Sequence, residues 1–353
     1  MNAAALPGTA TLIALALAGC AQFQPARGYV NPVLDGDFAD PAVLRAPDGL
    51  FYAYATQGAP ANRMLNIQVA RSPDLVEWTH LGDALPAKPR WAGAKQHFWA
   101  PHALYDGTQK KYFMYYSAEP DDARGKCLAV ATSDAPAGPF TDSGEPLLCG
   151  QGIEHIDPMA FDDPQTRKPL LYWGSGALPI KVQELAPDRL RFLPGSAPRE
   201  LVFPNARAAY RSLVEGAWVT FHRGRYFLFY SGDRCCAKEP RYAIMVARSE
   251  NAMGPFETLS GPILERSAAW LAPGHNSIAT DDLGTDWLLY HAIDPRRAAR
   301  ARVMLLDRIG YRDGWPRIAG DRPSHLPQKA PAIRANPRRA RGAPERRARG
   351  IAV

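Results

Sequence analysis

Asp37-Phe38-Ala39-Asp40-Pro41 is the first of five points at which the chain returns to a similar element. Counting from Asp40, the others are Trp99-Ala100-Pro101, Asp157-Pro158, Glu215-Gly216 and His275-Asn276-Ser277, at intervals of 59, 58, 58 and 60 residues. A near-constant step of this size marks a modular array. A second signal keeps the same period: FYAYAT from Phe51, YFMYYS from Tyr112, LLYWGS from Leu170, YFLFYS from Tyr226 and WLLYHA from Trp287. Most units add a third run (IQVARS from Ile67, LAVATS from Leu128, IMVARS from Ile244, VMLLDR from Val303), and Gly138-Pro139-Phe140 returns as Gly254-Pro255-Phe256. Short apolar and aromatic runs separated by Asp, Gly and Pro turns read as strands of antiparallel meanders. About four such strands per unit make one blade of a β-propeller, which avoids exposed sheet edges by radial repetition. The fold predicted is therefore all-β, a five-bladed β-propeller; the alternative is a pair of β-sandwiches with loosely similar strands. In a propeller the first strand of every blade lines the central axis, so the five aligned positions should meet in space.

Length alone, at about 150 residues per domain, suggests two domains. The repeat overrides that guess, because five blades occupy residues 31–320. Residues 1–20 read as a signal peptide, 21–30 as a linker and 321–353 as a basic, disordered tail. The net charge of +7 hints at nucleic acid until it is located. Seven arginines after Pro331 (Arg334, Arg338, Arg339, Arg341, Arg346, Arg347, Arg349) face one acid, Glu345, so the propeller itself is close to neutral and no nucleic-acid partner is expected. The apolar run Thr11 to Ala18 is too short to span a bilayer. It ends in Leu17-Ala18-Gly19-Cys20, which resembles the lipobox of bacterial lipoproteins, where the cysteine is lipidated. The expectation is export to the periplasm, outer membrane or cell surface, with membrane contact only through a lipid on Cys20. The departure is that Met1 to Ala10 lacks the Lys or Arg that signal peptides carry. In an oxidising compartment Cys127, Cys149, Cys235 and Cys236 permit disulfides, and the sequence leaves their pairing open.

Three of the five aligned positions are acids: Asp40, Asp157 and Glu215. Carboxylates clustered in a half-buried pocket raise one another's pKa, so one stays protonated near neutral pH. Glycoside hydrolysis needs that pairing of a protonated acid for the leaving oxygen with an ionised carboxylate on the other face of the sugar. The longer Glu215 is the natural acid and Asp40 the natural base. Taken singly, each has a plainer reading, Asp40-Pro41 as a turn initiator and Glu215 as a strand-edge residue. Asp35, Asp37 and Glu154 fall outside the phase and read as rim residues; Asp48, Asp162-Asp163 and Asp281-Asp282 read as solvated turn residues.

Together the segments NPVLDGDFADPAVL from Asn31, FWAPHAL from Phe98, IDPMAFDD from Ile156, VEGAWV from Val214, PGHNSIATDDLGTDWLLYH from Pro273 and DGWPRI from Asp313 closely resemble glycoside hydrolase family 43. This family comprises five-bladed propeller arabinanases, α-L-arabinofuranosidases and β-xylosidases. The resemblance implies Asp40 as general base, Glu215 as general acid and Asp157 as the third carboxylate that tunes and orients the acid, in an inverting reaction without a covalent intermediate. It further implies that His275 sits beside an axial calcium or other ion, mainly through water. Trp99 and Phe38 resemble the aromatic walls of the sugar pocket, and Arg302 the arginine at its floor. The Cys235-Cys236 pair is similar to a stretch of arabinan-cleaving members, which favours arabinofuranosyl substrates in arabinan or related plant polysaccharides and oligosaccharides. The motif Glu215-Gly216-Ala217-Trp218, where endo-arabinanases tend to have Glu-Ala-Pro, favours exo action. β-Xylosidase activity is the alternative. A non-catalytic glycan-binding propeller is the alternative of another class, although binding alone gives no reason to keep all three axial acids.

Overall fold

The structure, a computed structural model, describes residues 28–123, 125–297 and 301–334. The signal peptide with Cys20, the linker up to residue 27 and the arginine tail from residue 335 lie outside the described residues. Five antiparallel sheets follow one another along the chain. Their innermost strands are Ala42–Arg45, Trp99–Asp106, Met159–Asp162, Val214–His222 and Leu271–Thr280. Each pairs with a second strand, Phe51–Ala55, Lys111–Ala118, Pro169–Trp173, Arg225–Arg234 and Asp286–Ile293, and each second strand pairs outward with a third. In register, Ala42 opposes Tyr54, Met159 opposes Tyr172 and Thr280 opposes Asp286.

The second strands are buried and mostly apolar through their middles, without the alternation of a half-solvated sheet, because both faces of each blade are covered by its neighbours. Phe51–Ala55 and Asp286–Ile293 are buried at every residue. The apolar core divides into clusters between consecutive blades. One joins Tyr54 and Val69 to Met114 and Tyr116, across the first and second blades. Another joins Tyr115 and Val130 to Leu171 and Trp173, and the largest runs from the third blade through the fourth to Tyr290 in the fifth. The ring closes where Phe51 and Ala53 of the first blade pack with Leu289 and Leu306 of the fifth. Removing one such ring side chain costs about 3–5 kcal/mol in a comparable core.

The ends of the propeller lie further out than the repeat suggests. Gly28–Tyr29 pairs with Gln328–Lys329, while Val33 and Leu34 bond the Met304 carbonyl. Ile333 packs against the closing cluster, and the Arg334 amide donates to Asp282. The folded body thus includes residues 28–30 and 321–334, read from sequence as linker and tail; these segments are too short and irregular to carry a strand signal. Two of the turn acids expected to be solvated are also buried. Asp163 accepts from Tyr226, Thr166 and the Gln165 amide, and Asp281 from the Thr285 and Leu283 amides and the Trp287 indole. The cysteines pair as Cys127–Cys149, which clasps the third strand of blade two to a short outer strand, and as the adjacent Cys235–Cys236.

One backbone feature repeats at the axis. Asp40, Ala100, Asp157, Gly216 and His275 all have left-handed backbone conformations, with φ of 57, 44, 56, 62 and 47°. That region is costly for residues with a Cβ, though Asp tolerates it better than most. In four blades its amide is held by a side chain of the preceding blade's second strand or strand end. The Ala100 N–H donates to Thr56 Oγ1 (2.8 Å), Asp157 to Ser117 Oγ (3.0 Å), His275 to Ser231 Oγ (2.7 Å) and Asp40 to His291 Nδ1 (3.2 Å). The Gly216 N–H instead donates to Asp157 Oδ2 at 3.0 Å.

Candidate active site

The shared backbone conformation corrects the sequence alignment at two blades. The structural equivalents of Asp40 and Asp157 are Ala100 and Gly216, one residue after Trp99 and Glu215. Glu215 is therefore offset by one residue from the other two acids. The offset is possible because strand pairing slips between Glu215 and Trp218 and between Trp99 and His102. Gly216 leaves room for the neighbouring imidazole: an added Cβ would stand 3.3 Å from the His275 ring, a tight contact.

The three acids nonetheless converge. His275 Nδ1 lies 3.4 Å from Asp40 Oδ1 and 3.9 Å from Asp157 Oδ2, so carboxylates of the first and third blades meet at one imidazole of the fifth. Asp157 holds the amide of Gly216, next to Glu215. Their charge states diverge. Burial acts to raise the pKa of Asp40, but the Arg302 guanidinium, His275 and His291 outweigh it and hold Asp40 well below the usual carboxylate range. Arg302 Nη1 is 3.1 Å from Asp40 Oδ1, and Thr56 Oγ1 donates to Oδ2 at 2.5 Å. Burial raises Asp157 well above the ordinary range, with Glu215 and Asp40 adding to the rise. Glu215 is pushed up to about 7, first by burial and then by the charge of Asp40, against the opposing pull of the Tyr242 hydrogen bond. Tyr242 is itself pushed upward by burial and stays a phenol, donating to Glu215 Oε1 at 2.7 Å. Its ring fits because Gly274 has no Cβ; one added there would stand 2.0 Å from the ring.

Near neutral pH the site thus holds an ionised Asp40 and at least one carboxyl proton on the Asp157–Glu215 pair. With Oε1 of Glu215 accepting from Tyr242, the proton of the neutral acid belongs on Oε2, free to be donated. Burial keeps both axial imidazoles neutral, His291 being lowered to about 4. His291 Nδ1, which accepts the Asp40 amide, also lies 3.1 Å from Asp40 Oδ1. Sequence reasoning missed His291. The available signal was the ending of the second-strand runs, where Thr56, Ser117, Ser175 and Ser231 give way to Ala292 and the preceding histidine takes over.

The remaining expectations fare differently. Arg302 does reach the site, on Asp40. Trp99 is half-buried, and one face is covered by the Lys126 ammonium, 3.6 Å from the ring centroid. Lys126 is buried beside Glu119; burial lowers its pKa to about 8. Phe38, expected to be a sugar-stacking wall, is fully buried in the closing cluster, with the His80 ring edge-on at 6.2 Å, and so has no face for a ligand. The motif gave the ring but not its direction: the Phe38 amide bonds the Arg302 carbonyl, drawing that segment against the fifth blade. Among the described residues no group of three His, Cys, Asp or Glu side chains is placed to hold a metal ion.

The model of glycosyl hydrolases family 43 matches residues 29–316. A relative named probable arabinan endo-1,5-alpha-L-arabinosidase B, from Aspergillus flavus, is 28% identical over 83% of this chain and 92% of its own. The extracellular endo-alpha-(1->5)-L-arabinanase 2 of Bacillus subtilis is 25% identical over 82% of this chain and 73% of its own. Among solved structures, a thermostable family-43 glycoside hydrolase is 29% identical, with a TM-score of 0.73 over 87% of this chain and 100% of that one.

Proposed function

Since the chain belongs to the glycosyl hydrolases family 43 and is a glycosidase, we propose that it cleaves α-L-arabinofuranosyl linkages of arabinan or arabinose-containing oligosaccharides with inversion. The observation that carries the reading is the opposite charge state of two acids gathered at one axis, Asp40 held ionised and Glu215 raised to about 7. Asp40 takes a proton from a water that attacks the anomeric carbon, while Glu215 gives its Oε2 proton to the departing glycosidic oxygen. Asp157 keeps the acid protonated and braces the strand that carries it. The names of the Aspergillus and Bacillus relatives support arabinan as the substrate.

Arg302, Trp99 and the axial His275 belong to the same proposal as sugar-facing groups. Calcium takes six to eight oxygen ligands, and the residues present do not form such a cage. An axial calcium ion is proposed only as a water-held neighbour of His275, with no step assigned to it. Export, with a lipid on Cys20, is also proposed, supported by the two disulfides and by a Bacillus relative named as extracellular. A gel shift lost on Cys20→Ala tests the lipid.

The enzymatic test compares debranched arabinan with 4-nitrophenyl α-L-arabinofuranoside. Glu215→Ala should lower turnover of arabinan by about a thousandfold and of the activated aryl glycoside far less, because nitrophenolate leaves without protonation. Equal losses on both substrates refute the acid assignment, and retention of anomeric configuration, read by proton NMR of the first product, refutes inversion. Product size reads the mode of attack: small uniform products for the exo action favoured by Glu215-Gly216-Ala217-Trp218, a ladder for endo action. Release of xylose from xylo-oligosaccharides, with no arabinose from either arabinose substrate, would establish the xylosidase alternative.

A further inference from the structure

We propose that the adjacent Cys235–Cys236 disulfide is a contact surface for the leaving-group sugar, forming with Ile153 and Leu213 an apolar subsite beside Glu215. A cleft of about 530 Å3 is walled by Glu215, the two cysteines, Leu213 and, from the third blade, Ile153, Gly176 and Ala177. Asp40, His275 and Arg302 are not among its walls. A cleft that contains the acid but not the base lies on the side toward which the glycosidic oxygen departs, because acid and base act from opposite sides of the scissile bond.

Its chemistry suits the face of a furanose ring. Cys235 is half-buried against the cluster of Tyr242, Ala272 and Ile293, and Tyr242 is the phenol that bonds Glu215. The disulfide therefore rests on the core beside the acid, while Cys236 stays exposed to the cleft. Opposite, Ile153 is a large apolar side chain left 37% exposed. Asp233 is already engaged by the Ser212 amide and hydroxyl and by Arg241, which leaves Arg234, exposed at the mouth, as the hydrogen-bonding group for sugar hydroxyls. An apolar floor with one polar group at the rim orients a pentose ring without binding a free ion.

The inference rests on the arabinofuranosidase reading, and the test separates the two. Arabinobiose and methyl α-L-arabinofuranoside share the reacting sugar and differ in whether the leaving group is a ring or a methanol. The double variant Cys235→Ala/Cys236→Ala should lose about tenfold in kcat/KM on arabinobiose, the effect of some 50 Å2 of apolar contact, and less than about twofold on the methyl glycoside. Ile153→Ala, on the facing wall, leaves the disulfide intact and should reproduce the split with a loss of about threefold. Equal losses on both substrates, or no loss on arabinobiose in either variant, overturn the subsite and leave the catalytic reading standing. A wild-type enzyme that releases arabinose from neither substrate overturns both.

Discussion

Asp40 and Asp157 are the same residue type in the same backbone conformation, with φ of 57 and 56°, at the same place in two blades, and both are buried. They nevertheless carry opposite tendencies to ionise. Asp40 meets a guanidinium, two imidazoles and a hydroxyl at close range, whereas Asp157 meets one amide, two other carboxyls and, only at 3.9 Å, the His275 imidazole. The repeat fixes where a side chain starts, and the non-repeating neighbours from adjacent blades decide what it does. Burial penalises the charged form of either acid; only a partner charge reverses it.

The strongest way to break this comparison is to give both acids the same uncharged side chain. Asp40→Asn should lower kcat by about a thousandfold on every substrate, since it is the one carboxyl of the three that is held ionised. Asp157→Asn keeps an oxygen for the Gly216 amide and should cost only about tenfold. It should also move the alkaline limb of the pH profile, set near 7 by Glu215, to lower pH, because the acid no longer has a second carboxyl beside it. Equal losses in the two variants, measured on debranched arabinan, would show that the two acids share one role.

A smaller effect comes from removing the cation that separates them. Arg302→Met takes the guanidinium 3.1 Å from Asp40 away and lets burial raise that carboxyl. The sign follows from the base having to be ionised. A folded pKa held below the ordinary value keeps Asp40 charged until the solution is strongly acid, and raising it brings the acid limb of kcat/KM up into the working range. The loss should be about tenfold at pH 7 and about a hundredfold at pH 5. A pH-independent loss in the same profile would mean that Arg302 acts on the sugar alone.

The side of this contrast that repeats is legible in the amino-acid sequence; the side that does not repeat is hidden there. The five-blade count follows from two periodic signals in step, and Asp40, Asp157 and Glu215 follow from their phase. The one-residue offset of Glu215 is not legible, since a strand slip leaves no compositional mark and Glu215-Gly216 occupies the same two positions either way. Phe38 misleads for a related reason. An aromatic residue beside a catalytic motif is the same letter whether it faces the axis or the neighbouring blade, and only the burial of the Phe38 ring in the closing cluster decides it. The state of Asp40 depends on Arg302 and His291, both more than 240 residues away in the chain.

The smallest expected effect tests how far the third blade departs from the others. Ser175 ends its second-strand run as Thr56, Ser117 and Ser231 end theirs, yet its hydroxyl is buried with no partner. The amide it would hold, that of Gly216, is taken by Asp157. Ser231→Ala, by contrast, orphans the buried His275 amide and should cost about 1–2 kcal/mol in thermal or denaturant unfolding. Ser175→Ala breaks no bond and should stay within about 0.5 kcal/mol. If Ser175→Ala destabilises as much as Ser231→Ala, the serine shares the Gly216 amide and Asp157 is relieved of structural duty. If it is silent, one hydrogen bond joins the protonation of Asp157 to the position of the strand bearing Glu215. The blade that gave up its serine brace would then be the one in which a catalytic carboxyl also holds the backbone of its partner.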